Sequence, residues 1–158
     1  MPTILNLKEQ QVNCYKAEKT IIKNEANKLL YHVLWAPLGM AARAREDFKT
    51  DGVEHIFVTT DKSSVVGTFV LIVHCDNTVE LRHAAVAETF QKRGIGKRLW
   101  AEAVKFAKGE GASEFFLYAR NTTIGYWLKL GLKEESAWLD HAEFKKYGIR
   151  FKKMVYSL

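Results

Sequence analysis

The most chemically suggestive stretch of this chain is Gln91-Lys92-Arg93-Gly94-Ile95-Gly96-Lys97-Arg98. Two glycines allow close backbone approach to a ligand, and three cations, Lys92, Arg93 and Lys97, surround them. A helix that starts here presents backbone N–H groups with no intrahelical acceptor, and its dipole adds about half a positive charge. Such a loop is an anion cradle of the size of a pyrophosphate. It is not a dinucleotide fingerprint, because the third glycine of that motif falls at Leu99, and it lacks the Lys-Ser/Thr ending of a P-loop.

Charge patterning agrees with a cradle. The 158 residues hold 24 Lys+Arg and 18 Asp+Glu, for a net +6. Residues 91–108 carry +5 and residues 144–158 another +5, so the remainder is mildly acidic at −4. The C-terminal basic run reads as the solvated face of an edge strand, where lysines discourage strand addition. Nucleic acid is disfavoured as a partner, because no strand shows the aromatic pattern that stacks bases.

The elements that must position the cradle follow from periodicity. Apolar residues recur at helical spacing through Ile21, Ile22, Ala26, Leu29, Leu30 and Val33, and a Pro/Gly stop follows at residues 35–39. A short helix is expected over 41–48. Strands are expected over 55–60, 65–74 and 78–86, joined by turns as an antiparallel meander, with 65–74 buried on both faces. Ile95, Leu99, Ala103, Phe106 and Ala107 share one face of a helix over 94–108. A strand over 113–119, a helix over 122–130 with Asn121 as its N-cap, and strands over 132–139 and 149–156 complete the chain. Strand 78–86, helix 94–108 and strand 113–119 form a βαβ unit, so the two strands should be parallel. The whole reads as one α+β domain spanning 1–158, a mixed sheet with helices on both faces.

Three further stretches extend the pattern. Glu80-Leu81-Arg82-His83-Ala84-Ala85-Val86 precedes the loop. Thr123-Ile124-Gly125-Tyr126-Trp127-Leu128-Lys129-Leu130-Gly131-Leu132 follows the second parallel strand, and Gln91-x-x-Gly94-x-Gly96 lies between. Together with Trp35-Ala36-Pro37-Leu38-Gly39 and the closing Gly148-Ile149 to Met154, these resemble the GNAT superfamily of N-acetyltransferases over nearly the whole chain.

The resemblance implies that acetyl-coenzyme A, as co-substrate, lies in a V-shaped split between strands 78–86 and 113–119. Backbone groups of Ala84, Ala85 and Val86 would meet the pantetheine arm, with an N–H near Val86 at the thioester oxygen. Gln91, Lys92, Arg93, Gly94, Ile95, Gly96 and Lys97 would take the pyrophosphate. Asn121 would bond the pantetheine arm, as an alternative or in addition to capping its helix. The acceptor would be an amine of a small molecule or a peptide. An alkylammonium of pKa about 10 is neutral in only about one molecule in a thousand at pH 7, a handicap of about 4 kcal/mol that a base removes.

Glu80 occupies the position that some family members use for that base. Its competing reading is an ion pair with Arg82 or a neighbouring strand. Period-2 alternation places Glu80, Arg82, Ala84 and Val86 on one face and His83 on the other, as a packing or surface histidine. His74 is read in the same way. The family's usual proton-donating tyrosine corresponds here to Trp127, whose indole cannot give up a proton near neutrality. That leaves Tyr126 after a local shift, Tyr118 on the facing strand, or water, with Tyr118 and water favoured. Trp35, Trp138, Phe144 and Tyr147 are candidates to line the acceptor pocket.

Trp127 at the tyrosine position also leaves room for an acyl-coenzyme A sensor with little turnover. Cys14 and Cys75 fit no disulfide framework or metal motif, and no metal is expected. The start of the chain lacks a secretory pattern and the longest apolar stretch, 65–73, is too short to span a bilayer. A cytoplasmic protein with no membrane partner, monomeric or homodimeric, is the resulting expectation.

Overall fold

The computed structural model describes residues 12–158, so the reading of the extreme N-terminus as lacking a secretory pattern lies outside the described residues. The order is β1 (Val12–Lys16), α1 (Thr20–Leu30), α2 (Ala44–Asp47), β2 (Val53–Asp61), β3 (Ser64–Val73), β4 (Thr78–Val86), α3 (Ile95–Gly109), β5 (Glu114–Arg120), α4 (Ile124–Lys129), β6 (Lys133–Glu134), α5 (Ala142–Lys145) and β7 (Phe151–Tyr156). The strands form one seven-stranded sheet in the order β1-β2-β3-β4-β5-β7-β6. All neighbours are antiparallel except β4 and β5. The expected α+β architecture is therefore present, including the single parallel pair.

The sheet carries a core on each face. Phe57, Phe69, Leu71, Leu81, Leu117 and Met154 pack beneath Leu99, Trp100 and Ala103 of α3 and Trp127 of α4. On the other face Val58, Val70 and Ile72 pack against Ala26 and Leu30 of α1, with Trp35 and Phe144. β3 supplies both cores, which is why its sequence is a near-continuous apolar run; Val66 to Ile72 are all buried. Ile21, counted in the apolar stripe of α1, is instead 67% exposed. α1 continues as a π-helical turn over Tyr31–Trp35 and a 3-10 turn over Ala36–Leu38, ending at Gly39 with φ 73°. The π turn delivers Trp35 into the core at 1% exposure.

Two expectations fail at the C-terminal end. Residues 132–139 do not form one strand. β6 is two residues long, and a single bridge between Leu139 and Phe151 follows it. Between them Glu135 N still donates to Lys153 O at 2.8 Å, but the Ser136 side-chain Oγ, and not a backbone carbonyl, accepts from Lys153 N at 2.9 Å, so the regular ladder stops there. Nor is the basic C-terminal strand an edge. β7 lies between β5 and β6, and its cations are paired: Lys153 with Glu114 at 2.8 Å, Lys152 with Glu134 at 3.1 Å, and Arg150, just before it, with Asp140 at 3.1 Å.

Candidate active site

The parallel strands separate. β4 and β5 are paired from Thr78 and Glu114 to Leu81 and Leu117, and no further. β4 runs on to Val86 and β5 to Arg120, leaving a V-shaped opening. A bulge accompanies the separation. Val70 of β3 faces His83 while Leu71 faces Leu81, so Arg82 has no partner. An extra residue bends and twists a strand, and here it does so at the point where β4 leaves β5.

Beyond the bulge, Ala87 N donates to Val66 O at 2.8 Å. Antiparallel alternation then turns the backbone of Ala85 and His83 toward β3 and that of Ala84 and Val86 toward the opening. The Val86 carbonyl accepts from Gln91 Nε2 at 3.1 Å. Its N–H is the group left facing the split.

The loop that follows has the geometry of an anion cradle. Lys92 takes φ 63° and Gly94, the N-cap of α3, takes φ 79°. No side chain caps this helix. The first amide to find a backbone acceptor is that of Arg98, which donates to Gly94 O at 3.0 Å. Among the described residues no backbone group accepts from the amides of Lys92 to Lys97; those from Gly94 on are the open N–H groups of an uncapped helix start. Ile95 serves through its backbone alone, since its side chain is buried in the core beneath α3. Arg93 lies over the Phe90 ring, 5.0 Å from its centroid. Lys92, Arg93 and Lys97 therefore share one rim with a row of free N–H groups.

A cavity of about 360 Å³ lies at the split and is lined from both faces of the sheet. Ala84, Thr123 and Trp127 line it on the α3 side, and Trp35, Phe48, Tyr118, Arg120 and Phe144 on the α1 side. Glu80 lies in its wall at 4% exposure. One carboxylate oxygen is 3.0 Å from His74 Nε2, and the other accepts from Arg82 at 3.1 Å. The Arg82 guanidinium also donates to Phe48 O at 2.9 Å. Glu80 thus lies at the split and is ion-paired at the same time, and His74 is its partner.

The bulge overturns the expected alternation. Glu80 pairs with Ile72 and His83 with Val70, and both of those residues belong to the α1-side core. Glu80, Arg82 and His83 therefore face the same side, while Ala84 pairs with Phe69 and joins Leu81 on the other. His83 stands edge-on to Trp35, with ring centroids 5.1 Å apart. Its Nε2 is buried with no hydrogen-bond partner. Burial first, and then the charges of Arg45, Arg82 and Arg120, hold its pKa well below the ordinary 6.5. The ring is neutral.

The aromatic candidates separate clearly. Tyr118 lines the cavity and is 43% exposed. Trp127 is buried and donates from Nε1 to Thr123 Oγ1 at 3.2 Å. Tyr126 stands outside the cavity wall, with its hydroxyl over the first turn of α3; a Cβ on Gly96 would lie 2.5 Å from it. Burial raises the Tyr126 pKa, so the phenol keeps its proton. Asn121 is not the cap of α4, a position held by Thr123. Its carboxamide accepts from Arg150 N at 3.1 Å and donates to Gly148 O at 3.2 Å, tying the end of β5 to the start of β7. Of the expected acceptor-side aromatics, Trp35 and Phe144 line the cavity. Trp138 instead lies under Lys152 and Arg150, and Tyr147 lines a separate depression beside α2.

Sequence reasoning missed Arg120 and Phe48. Arg120 had one visible signal, a lone cation closing an apolar strand. Phe48 had none, because a turn after a four-residue helix brings it to the cavity. Among the described residues no group of His, Cys, Asp and Glu has metal-site geometry, and no helix is long and apolar enough to cross a membrane.

Comparison with known proteins agrees with this architecture. An uncharacterized N-acetyltransferase of Chlorobaculum tepidum is 33% identical over 85 residues, covering 52% of this chain and 54% of that protein. The chain thus matches about half the length of the curated relatives it resembles. The IAA acetyltransferase of Bacillus cereus superposes with a TM-score of 0.64 at 25% identity, covering 91% of this chain and 95% of that one. An acetyltransferase of Bacillus subtilis, solved in complex with CoA, superposes with a TM-score of 0.65 at 24% identity over the same shares. The model of the acetyltransferase (GNAT) family matches residues 22–132, which include the bulged strand, the cradle and the helix of Trp127. The chain belongs to the acetyltransferase (GNAT) family.

Proposed function

We propose that this protein transfers an acetyl group from acetyl-coenzyme A to a primary amine by direct attack on the thioester. The observation that carries the reading is the opening of β4 and β5 beyond Leu81 and Leu117, directly beside an uncapped, cation-rimmed helix start. The Bacillus subtilis neighbour solved with CoA supports the same assignment of the cofactor.

The residues present fit that cofactor. The amides of Lys92 to Lys97, with Lys92, Arg93 and Lys97, would hold its pyrophosphate. Gly94 keeps the approach open, since a Cβ there would meet nothing within 4 Å. The backbone of Ala84 and Val86 would receive the pantetheine arm, and the Val86 N–H would stabilise the thioester oxygen as charge develops on it. Gln91 fixes that segment by holding the Val86 carbonyl.

The bound cofactor supplies an activated acetyl carbon. The amine nitrogen bonds to that carbon while the carbon–sulfur bond breaks. Glu80 is the base that accepts the amine's proton through water, and Arg82 holds its carboxylate in place. The departing thiolate takes a proton from Tyr118 or from water, since a thiol of pKa about 8.5 needs little help. Tyr126 holds its proton at Gly96, away from the cavity.

A second reading, an acyl-coenzyme A sensor, is favoured by Trp127, which fills the tyrosine position and directs its N–H to Thr123. Thiol release from acetyl-coenzyme A across a panel of amines separates the two. Amine-dependent release supports transfer. Saturable binding without release, unchanged in Glu80→Gln, supports the sensor.

A further inference from the structure

Among the described residues, the α1 side of the cavity holds a cation without a counter-ion. The other guanidiniums that act on His83 are each matched by a carboxylate: Arg82 by Glu80, and Arg45 by Glu54 at 2.9 Å. Asp140, also in the wall, is matched by Arg150. Arg120 has no carboxylate partner among the described residues. It is half-buried at the end of β5, donates one N–H to Leu34 O at 3.2 Å, and lies 5.3 Å above the centroid of Phe144. Burial lowers its pKa, yet a guanidinium stays charged throughout the physiological range. Its remaining N–H donors are free for a ligand.

A low-dielectric pocket with one uncompensated cation favours an anionic ligand and disfavours one that is only cationic. Around Arg120 the walls are flat and aromatic: Trp35, Phe48 and Phe144 lie within 6.3 Å of one another in sequence of ring centroids.

We propose that the acceptor is an amine that also bears a carboxylate, held by Arg120, with an apolar or aromatic body against Trp35, Phe48 and Phe144. Arg120 is the specificity-determining residue. A guanidinium and a carboxylate can pair through two parallel hydrogen bonds. The proposal rests on the acetyl-transfer reading for the word acceptor, and the experiment separates the two.

Phenylacetate and its uncharged isostere phenylacetamide would be titrated by calorimetry into the CoA-loaded protein. The carboxylate is expected to bind about tenfold or more tightly than the amide. Arg120→Met should abolish the difference and Arg120→Lys should keep part of it. In turnover, phenylalanine should exceed phenylethylamine in kcat/KM by about the same factor. Equal binding of the two isosteres to the wild-type protein, or binding of neither, overturns the proposal whether or not the variants fold. A carboxylate preference without turnover of either amine would sustain it and sink the transfer reading instead.

Discussion

Leu81 and Leu117 are the last residues at which β4 and β5 are paired, and the residue that follows Leu81 is the one that bulges. The two facts belong together. A strand that has gained a residue against β3 twists away from its parallel neighbour, and the gap exposes the backbone of Ala84 and Val86. The same bulge brings His83 onto the face of Glu80 and Arg82, so one irregularity opens the split and assembles its polar wall.

Glu80→Gln tests the base. A general base contributes about a hundredfold or more to the rate, so kcat should fall by about that much while the affinity for coenzyme A is unchanged. Loss of the charged partner of His74 and Arg82 should also cost about 1–3 kcal/mol of stability. Steady-state kinetics and denaturant melts measure the two effects separately. An unchanged kcat would remove Glu80 from the mechanism.

Tyr118→Phe and Tyr126→Phe divide the acid role. Tyr118 lines the cavity and Tyr126 does not. The first variant should lower kcat by about tenfold if the phenol protonates the thiolate, or leave it unchanged if water does. The second should leave kcat alone in either case. A large loss of kcat in Tyr126→Phe would contradict the assignment.

Gly96→Ala tests the cradle. The added Cβ would sit 2.5 Å from the Tyr126 hydroxyl and must displace it or the first turn of α3. Coenzyme A affinity should fall by about tenfold. Removing the hydroxyl in the double variant Gly96→Ala/Tyr126→Phe should restore most of it. Absence of rescue would mean that the glycine is needed for ligand approach alone.

His83 predicts a pH dependence of stability. Its folded pKa lies well below 6.5. Above about pH 6.5 both folded and unfolded forms are neutral and the residue contributes no slope. As pH falls from there toward the depressed folded value, the unfolded chain binds a proton that the folded one refuses. Stability then falls, by up to about 1.4 kcal/mol per pH unit. His55 shifts in the same direction but its ring is less deeply buried, so its share is smaller. Denaturant midpoints between pH 7 and 5 should fall more steeply in the wild type than in His83→Phe. Parallel curves would place the shift elsewhere.

Much of this architecture is written in local pattern. β4 follows its expected bounds, α3 and β5 differ by one residue at each end, and the cradle was legible from two glycines and three cations. What failed depends on non-local events. No residue type announces the bulge at Arg82; it arises in the pairing of β4 with β3, and it reverses a face assignment that alternation alone makes plausible. Asn121 looked like a cap because caps are its commonest use, yet the start of β7 lies close enough to take both ends of its carboxamide. The C-terminal lysines read as an edge because strand order is non-local: β7 inserts between β5 and β6, and no local pattern records that. Arg120 is one charge in a charged sequence until folding separates it from every carboxylate in the structure described.

Mass spectrometry of the amine product, paired with release of the free thiol from acetyl-coenzyme A, tests the central claim most directly. The account predicts an N-acetylated amine formed in step with the thiol, abolished in large part by Glu80→Gln. Saturable binding of acetyl-coenzyme A with no acetylated product from any amine would contradict it.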